Sequence, residues 1–270
     1  MARLIAGICP SAVIYVIKLR TFAAHNSEKL QIDTKSAIEG IKHATKLGAE
    51  IISMSWTVKP PEEEETDFRT ALHEALTRGS SMFCAASDQG NFADRTFPHA
   101  GNRDTFRIGG ATAMGKASDT VGDRMGLSFL FPGYEVVVDH WDEDKGSGGP
   151  FDKFDAHSGS SVATALAAGL AALIVECVRL GMVHTNESPE KQNDPNIAIT
   201  LGDLARIRKP QAMKEAMLSI GIDMNTGNQY LEVWRLFEAK TAKLTEYGRV
   251  ADTKGQMEVI AGLARHFLRK

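Results

Sequence analysis

From Ser161 to Leu180 the chain carries apolar or small side chains on nearly every helical face, with Glu176 and Arg179 as its only charges. A helix that is hydrophobic all round is buried all round, so the fold has to be assembled about this segment. Its most hydrophobic part, Val162 to Val175, is 14 residues long, below the roughly 18 needed to cross a membrane, which makes it a core helix. Gly181 stands where a helix stop is expected. The chain has 270 residues, 43% hydrophobic and 24% charged, which is enough to surround such a helix with one large core.

The layers around it follow from periodicity. Val13 to Leu19 is short, apolar and β-branched, and reads as a strand. In Ser36 to Leu47, Ala37, Ile41, Ala44 and Leu47 fall at helical spacing before Gly48. Strand Ala49 to Trp56, helix Glu62 to Arg78, and strands Ser81 to Ala86 and Phe106 to Thr112 continue the alternation. Apolar strands alternating with helices define an α/β fold, a mainly parallel sheet covered by helices on both faces. Leu127 to Asp139 reads as a strand or hairpin. A glycine-rich loop through Gly146, Gly148, Gly149 and Pro150 and a loop-like Phe151 to His157 lead to the central helix. Beyond it, Gly202 to Ile220 is helical with a break at Pro210, Tyr230 to Ala242 is helical in part, and Gln256 to Leu268 is helical.

Charge and cysteines narrow the partners. A net charge of -3 gives no basic field for nucleic acid. Glu62 to Glu65 follows Pro60 and Pro61 at a helix start, where carboxylates favour the positive end of the dipole. Cys9, Cys84 and Cys177 are odd in number and set among apolar neighbours, as buried free thiols in a reducing compartment would be. No secretion signal is read near the start, so the expected location is intracellular, in the cytoplasm. No clustered carboxylates form a calcium loop, and no cofactor or metal is expected.

The residues with chemical potential are Gly159, Ser160 and Ser161, where a polar loop meets the buried helix. A serine there lies among unpaired backbone N–H groups that could stabilise an oxyanion. Read by itself, the same tetrapeptide Ser158 to Ser161 also serves as an ordinary helix cap.

Four segments in order resemble the subtilase family of serine peptidases. They are Ile8 to Lys18 with its Pro10, Ala12 and apolar strand, and Ile51-Ile52-Ser53-Met54-Ser55-Trp56. The third is Ala85-Ala86-Ser87-Asp88-Gln89-Gly90, and the fourth Gly159-Ser160-Ser161-Val162-Ala163 with Gly169 eight residues after Ser161. A weaker likeness reaches Tyr230-Leu231-Glu232-Val233. The resemblance implies a subtilisin-like three-layer domain over residues 1–240 and a helical extension over 241–270. It also implies Ser161 as nucleophile, Asp88 at the place of the family's oxyanion asparagine, and a substrate groove lined by Ser55, Trp56, Thr57, His157 and Gly159. The partner implied is a peptide or protein, or further domains of a larger protein.

Two departures bear on activity. The family's triad aspartate and histidine precede the part that this chain resembles, and in subtilisin itself loss of the base costs on the order of a millionfold in turnover. His157, the histidine nearest Ser161 in sequence, matches a groove position and not the base. Asp88, when ionised, can only accept hydrogen bonds where an oxyanion requires a donor. The expectation is a serine endopeptidase domain inactive as this chain, or a non-catalytic peptide-binding module. A rival α/β-hydrolase arrangement, with Asp223 or Asp252 and His266 as partners of Ser161, lacks the apolar strand and the second glycine that its elbow needs.

Overall fold

The computed structural model describes residues 1–23, 30–88, 96–122, 126–139, 154–187, 189–222 and 230–269. His25, His140, Asp223, the Gln89 and Gly90 ending of the third family-like segment, and the glycine-rich loop before the central helix lie outside them. The chain begins with helix α1 (Ala2–Ile8), a hairpin of β1 (Thr21–Ala23) and β2 (Leu30–Ile32), and helix α2 (Thr34–Lys46). Strand β3 (Ile51–Met54), helix α3 (Glu62–Thr77), and strands β4 (Ser81–Ala85), β5 (Phe106–Ala111) and β6 (Phe129–Pro132) follow. A second hairpin joins β7 (Val136–Asp139) to β8 (Phe154–His157), which leads into α4 (Ser160–Asn186). The rest is helical: α5 (Pro189–Asn193), α6 (Leu201–Ile207), α7 (Pro210–Ile220), α8 (Trp234–Arg249) and α9 (Thr253–Leu268).

Strands β3, β4, β5 and β6 form one parallel sheet in that order. Because side chains alternate across a strand, β4 serves two cores. Phe83 faces α4 and stacks on Phe106, which stacks on Phe129, with ring centroids 4.8 and 6.1 Å apart. Met82 and Cys84 face the other way, into Ala37 and Ile41 of α2 and Phe68 and Leu72 of α3. The result is the expected α/β sandwich, with helices on both faces of a parallel sheet.

Local chemistry accounts for the helix ends. Asp33 caps α2 by accepting from the Ser36 N–H at 2.7 Å, and Glu62 to Glu65 fill the first turn of α3. Thr200 and Asp203 form a reciprocal capping box on α6, and Pro210 opens α7 at a position where its missing N–H costs nothing.

Several expectations need correction. Val13 to Leu19 is extended but is not a strand: it pairs with nothing among the described residues, and Val13 and Val16 are 80% and 82% exposed. Its apolar pattern suits a strand between two others, and among the described residues no second strand lies beside it. Leu127 to Asp139 contains two strands in different sheets, because Pro132 and Gly133 end β6 before β7 turns to pair antiparallel with β8. The segment read as loop before Ser161 includes β8, whose Asp155 to His157 are exposed. Tyr230 and Leu231 make bridges to Leu130 and Ile222, and the helix beyond them starts only at Trp234 and runs past Ala242 to Arg249.

Gly181 does not stop the central helix, which runs 27 residues to Asn186. A Cβ there would lie 2.6 Å from Ile199 and 2.9 Å from Ala264, so the glycine admits the neighbouring chain instead. At this length α4 meets a membrane-spanning criterion, but 72% of its most apolar window is buried within the fold. Helix α9 packs along it through Ala261, Ala264 and Phe267. His184 of α4, buried, bonds Glu258 of α9 through Nε2 at 2.8 Å.

Two tests follow. Burial acts to raise the Glu258 pKa, but hydrogen bonds from His184 and Arg265 outweigh it and hold the carboxyl below its ordinary value. A depressed folded-state pKa contributes stability above the ordinary carboxylate range, and that stability is lost as pH falls through the depressed value. Glu258→Gln should therefore flatten that part of the acid limb of a stability-against-pH curve, whereas an unchanged limb would contradict the pairing. In the sheet, a Cβ on Gly133 would stand 2.6 Å from the Gly110 Cα. Gly133→Ala should cost about 1–3 kcal/mol by overpacking, read from the urea midpoint.

Candidate active site

Four separate chain segments converge on the first turn of α4. Gly159, with φ of 129°, precedes the helix in a conformation that favours glycine. Its N–H donates to the Gly133 carbonyl at 2.8 Å. The Asp88 carboxylate reaches over from the end of β4, accepting from the Ser160 N–H at 2.8 Å and from the Ser160 hydroxyl at 2.6 Å. Ser160 Oγ in turn accepts from the Gly110 N–H of β5 at 3.1 Å. From the end of β3, Ser55 donates its hydroxyl to the Ser161 carbonyl at 3.1 Å.

This network separates two adjacent serines. Ser160 is fully buried and its hydroxyl is spent as donor and acceptor, which makes it a structural cap partner. Ser161 is half-buried, one step further along, in the turn where helix N–H groups have no intrahelical acceptor. Its Oγ and Asp88 Oδ2 flank the space above Gly159, 3.5 and 3.2 Å from where a Cβ would sit. A nucleophile in that place has backbone donors beside it and the positive end of the helix dipole beneath it.

Asp88 completes the helix cap from 72 residues away, because Gly159 has no side chain to do so. Both of its oxygens accept from Ser160, which anchors the carboxylate on the first turn of α4.

The other candidate residues are distributed differently. Trp56 is half-buried and meets Phe68 edge-on, with ring centroids 6.4 Å apart, so its ring belongs partly to the α2–α3 core. Thr57 is half-buried beside it. His157 is exposed at the end of β8, opposite Val136, and lines a shallow depression with Arg3 and Leu4 of α1. Among the described residues no hydrogen bond joins an imidazole to Ser161 Oγ. His99 bonds the Thr105 carbonyl, His184 bonds Glu187 and Glu258, and His266 bonds the Ser219 carbonyl. Asp252 caps α9, so Asp252 and His266, two of the hydrolase-type candidates, are in structural use. Among the described residues no cluster of His, Cys, Asp and Glu is placed to hold a metal ion.

Sequence reasoning missed Gly110 and Gly133 as parts of the site, and did not separate the structural role of Ser160 from that of Ser161. The signal was present as glycines at the carboxyl ends of two strands, where one backbone must approach another closely.

The model of the Subtilase family matches residues 2–189, and the chain belongs to that family. No curated protein matches it. Among solved structures, a lanthipeptide protease aligns with a TM-score of 0.58 at 16% identity, over 88% of this chain and 73% of the other. The prenylagaramide maturation protease PagA aligns at 0.53 and 20%, over 79% and 70%. The nisin leader peptidase NisP from Lactococcus lactis aligns at 0.51 and 17%, over 77% and 63%. At these identities the structural likeness carries the fold.

Asp88→Ala removes the cap and leaves the buried Ser160 N–H and hydroxyl short of an acceptor. It should cost about 1–2 kcal/mol in chemical denaturation. Asp88→Asn, which keeps one acceptor oxygen, should cost less; equal losses would contradict the capping role.

Proposed function

We propose that this subtilase domain is a serine endopeptidase scaffold that binds a polypeptide at Ser161 and, as this chain, does not cleave it. The observation that carries this reading is the Asp88 carboxylate held on Ser160 by two hydrogen bonds. Hydrolysis needs donors aimed at the developing negative charge, and a carboxylate held there as an acceptor does not supply one. The Ser161 hydroxyl also has no imidazole to take its proton among the described residues. Subtilases act on peptides or proteins, so the ligand class is a polypeptide chain. The names of the lanthipeptide protease and the nisin leader peptidase agree with a peptide of that kind.

The same proposal places the chain in a reducing, intracellular compartment. Cys9, Cys84 and Cys177 are free and buried, and burial pushes the Cys84 and Cys177 thiols up to about 12. Such thiols are neutral and inert at physiological pH, which suits a packing role with no redox or metal chemistry.

The direct test is a fluorophosphonate probe followed by mass spectrometry, with an active subtilisin as positive control. The expected result is no adduct on Ser161. Stoichiometric labelling that disappears in Ser161→Ala would overturn the proposal and assign an active enzyme. Asp88→Asn should leave the protein unlabelled, because restoring a donor does not supply a base for the Ser161 proton.

A further inference from the structure

Helix α8 lies outside the residues 2–189 that the Subtilase model matches, and it is packed on one side. Leu236, Phe237, Leu244 and Tyr247 are half-buried and turn toward α9. Phe237 meets Phe267 with ring centroids 6.3 Å apart, the Leu244 carbonyl accepts from Gln256 Nε2 at 3.3 Å, and the Tyr247 ring lies beside Gly255. The opposite face carries Arg235, Ala239, Ala242, Glu246 and Arg249, all exposed. Steps of four, three, four and three residues keep these side chains on one stripe of the helix.

A solvated charged face needs no particular order of signs, but this one has an order. Along the stripe it runs positive, small, small, negative, positive. Against a second copy running the same way, each charge would meet its like. Against a second copy running the opposite way, with a two-fold axis between Lys240 and Thr241, Ala239 faces Ala242 of the second copy and Arg235 faces its Glu246. Opposite charges placed across paired helices set both partner and orientation. Arg249 falls opposite Glu232, which already holds Arg235 in an ion pair. Each end of the stripe thereby becomes an alternating run of Arg249, Glu232, Arg235 and Glu246 drawn from the two copies. Among the described residues Glu246 and Arg249 have no ion-pair partner within their own chain. The flanking Glu238 and Lys243 come beside Thr245 and Leu236 of the second copy, so no like charges are brought together. The methyl side chains of Ala239 and Ala242 admit the close end of the usual helix separation, about 8 Å, and the aliphatic stems of Arg235 and Arg249 can cover them. Two alanines alone would point to nothing; the order of charges selects a second copy and its direction.

We propose that the outer face of α8 is a self-complementary interface through which two copies of this chain pair antiparallel as a two-fold dimer. One helix face buries less than a standard interface and its ion pairs are exposed, so the dimer is weak, reversible and loosened by salt. The stripe holds no residue of the Ser161 site, and the inference stands apart from the proposed function.

The test is sedimentation equilibrium of the whole chain across a concentration series, with circular dichroism as the check on folding. The mean mass should rise toward that of a dimer with concentration, and raising salt from about 50 to about 500 mM should weaken association several-fold. Glu246→Arg sets like charges opposite Arg235 at both ends of the stripe, and Arg235→Glu does the same opposite Glu246. Each should weaken self-association by about tenfold or more. An equimolar mixture of the two variants restores opposite charges in both of those layers and should form a heterodimer within a few-fold of the parent. Ala242→Trp, at an exposed position, should abolish pairing by holding the helices apart. Where circular dichroism shows Arg235→Glu to be unfolded, Glu246→Arg and Ala242→Trp decide alone. A monomer at every concentration, a dimer indifferent to Glu246→Arg or to Ala242→Trp, or a mixture of folded variants that stays monomeric would overturn the proposal.

Discussion

A carboxylate bonded to the first residue of one helix holds the centre of this molecule together. Asp88 hangs from the end of β4, and its two oxygens take the Ser160 N–H and hydroxyl. Ser160 then accepts from β5, Gly159 donates to Gly133, and Ser55 at the end of β3 donates to Ser161. Three strand ends and the turn after β6 are thereby registered against the start of α4. Because α4 is buried along most of its length, fixing its first turn fixes how the sheet and the C-terminal helices sit on it. The glycines at 110, 133 and 159 permit the approach: side chains there would meet backbone or the Asp88 carboxylate.

The same interaction carries the proposed function. Subtilases need a serine at a helix start, donors for the oxyanion and a base for the hydroxyl proton. This chain keeps the serine and the helix, holds the Asp88 carboxylate beside them, and among the described residues brings no imidazole to Ser161. In the proposed function, an aspartate that caps the helix stabilises the fold while opposing hydrolysis, so structure and catalysis make contrary demands on one side chain. Binding of an extended polypeptide makes no such demand, since main-chain pairing requires neither donor nor base.

Much of this was legible in the sequence, and the reasons differ by element. The central helix declared itself because burial on every side leaves an unbroken apolar pattern, and β4 and β5 did so for the same reason. The first turn of α4 was legible through its glycine and two serines together with the ordered resemblance. Which serine is structural was not, since that depends on Asp88 and Gly110 meeting across long sequence distances. Gly181 misled because a glycine that ends a helix and one that admits a neighbouring helix look alike in sequence. Val13 to Leu19 misled for a more instructive reason. Its composition is that of a strand flanked on both sides, but pairing is a property of two segments, and its counterpart is not among the described residues.

The central claim is that Asp88 and Ser160 act as one unit to anchor α4, and a double-mutant cycle measures it directly. Asp88→Ala, Ser160→Ala and the double substitution should be compared by urea unfolding. The account predicts that the double variant loses less than the two single losses combined, with a coupling of about 1 kcal/mol or more, within the range for residues in one hydrogen-bond network. Losses that add to within about 0.3 kcal/mol, as those of independent sites do, would contradict it.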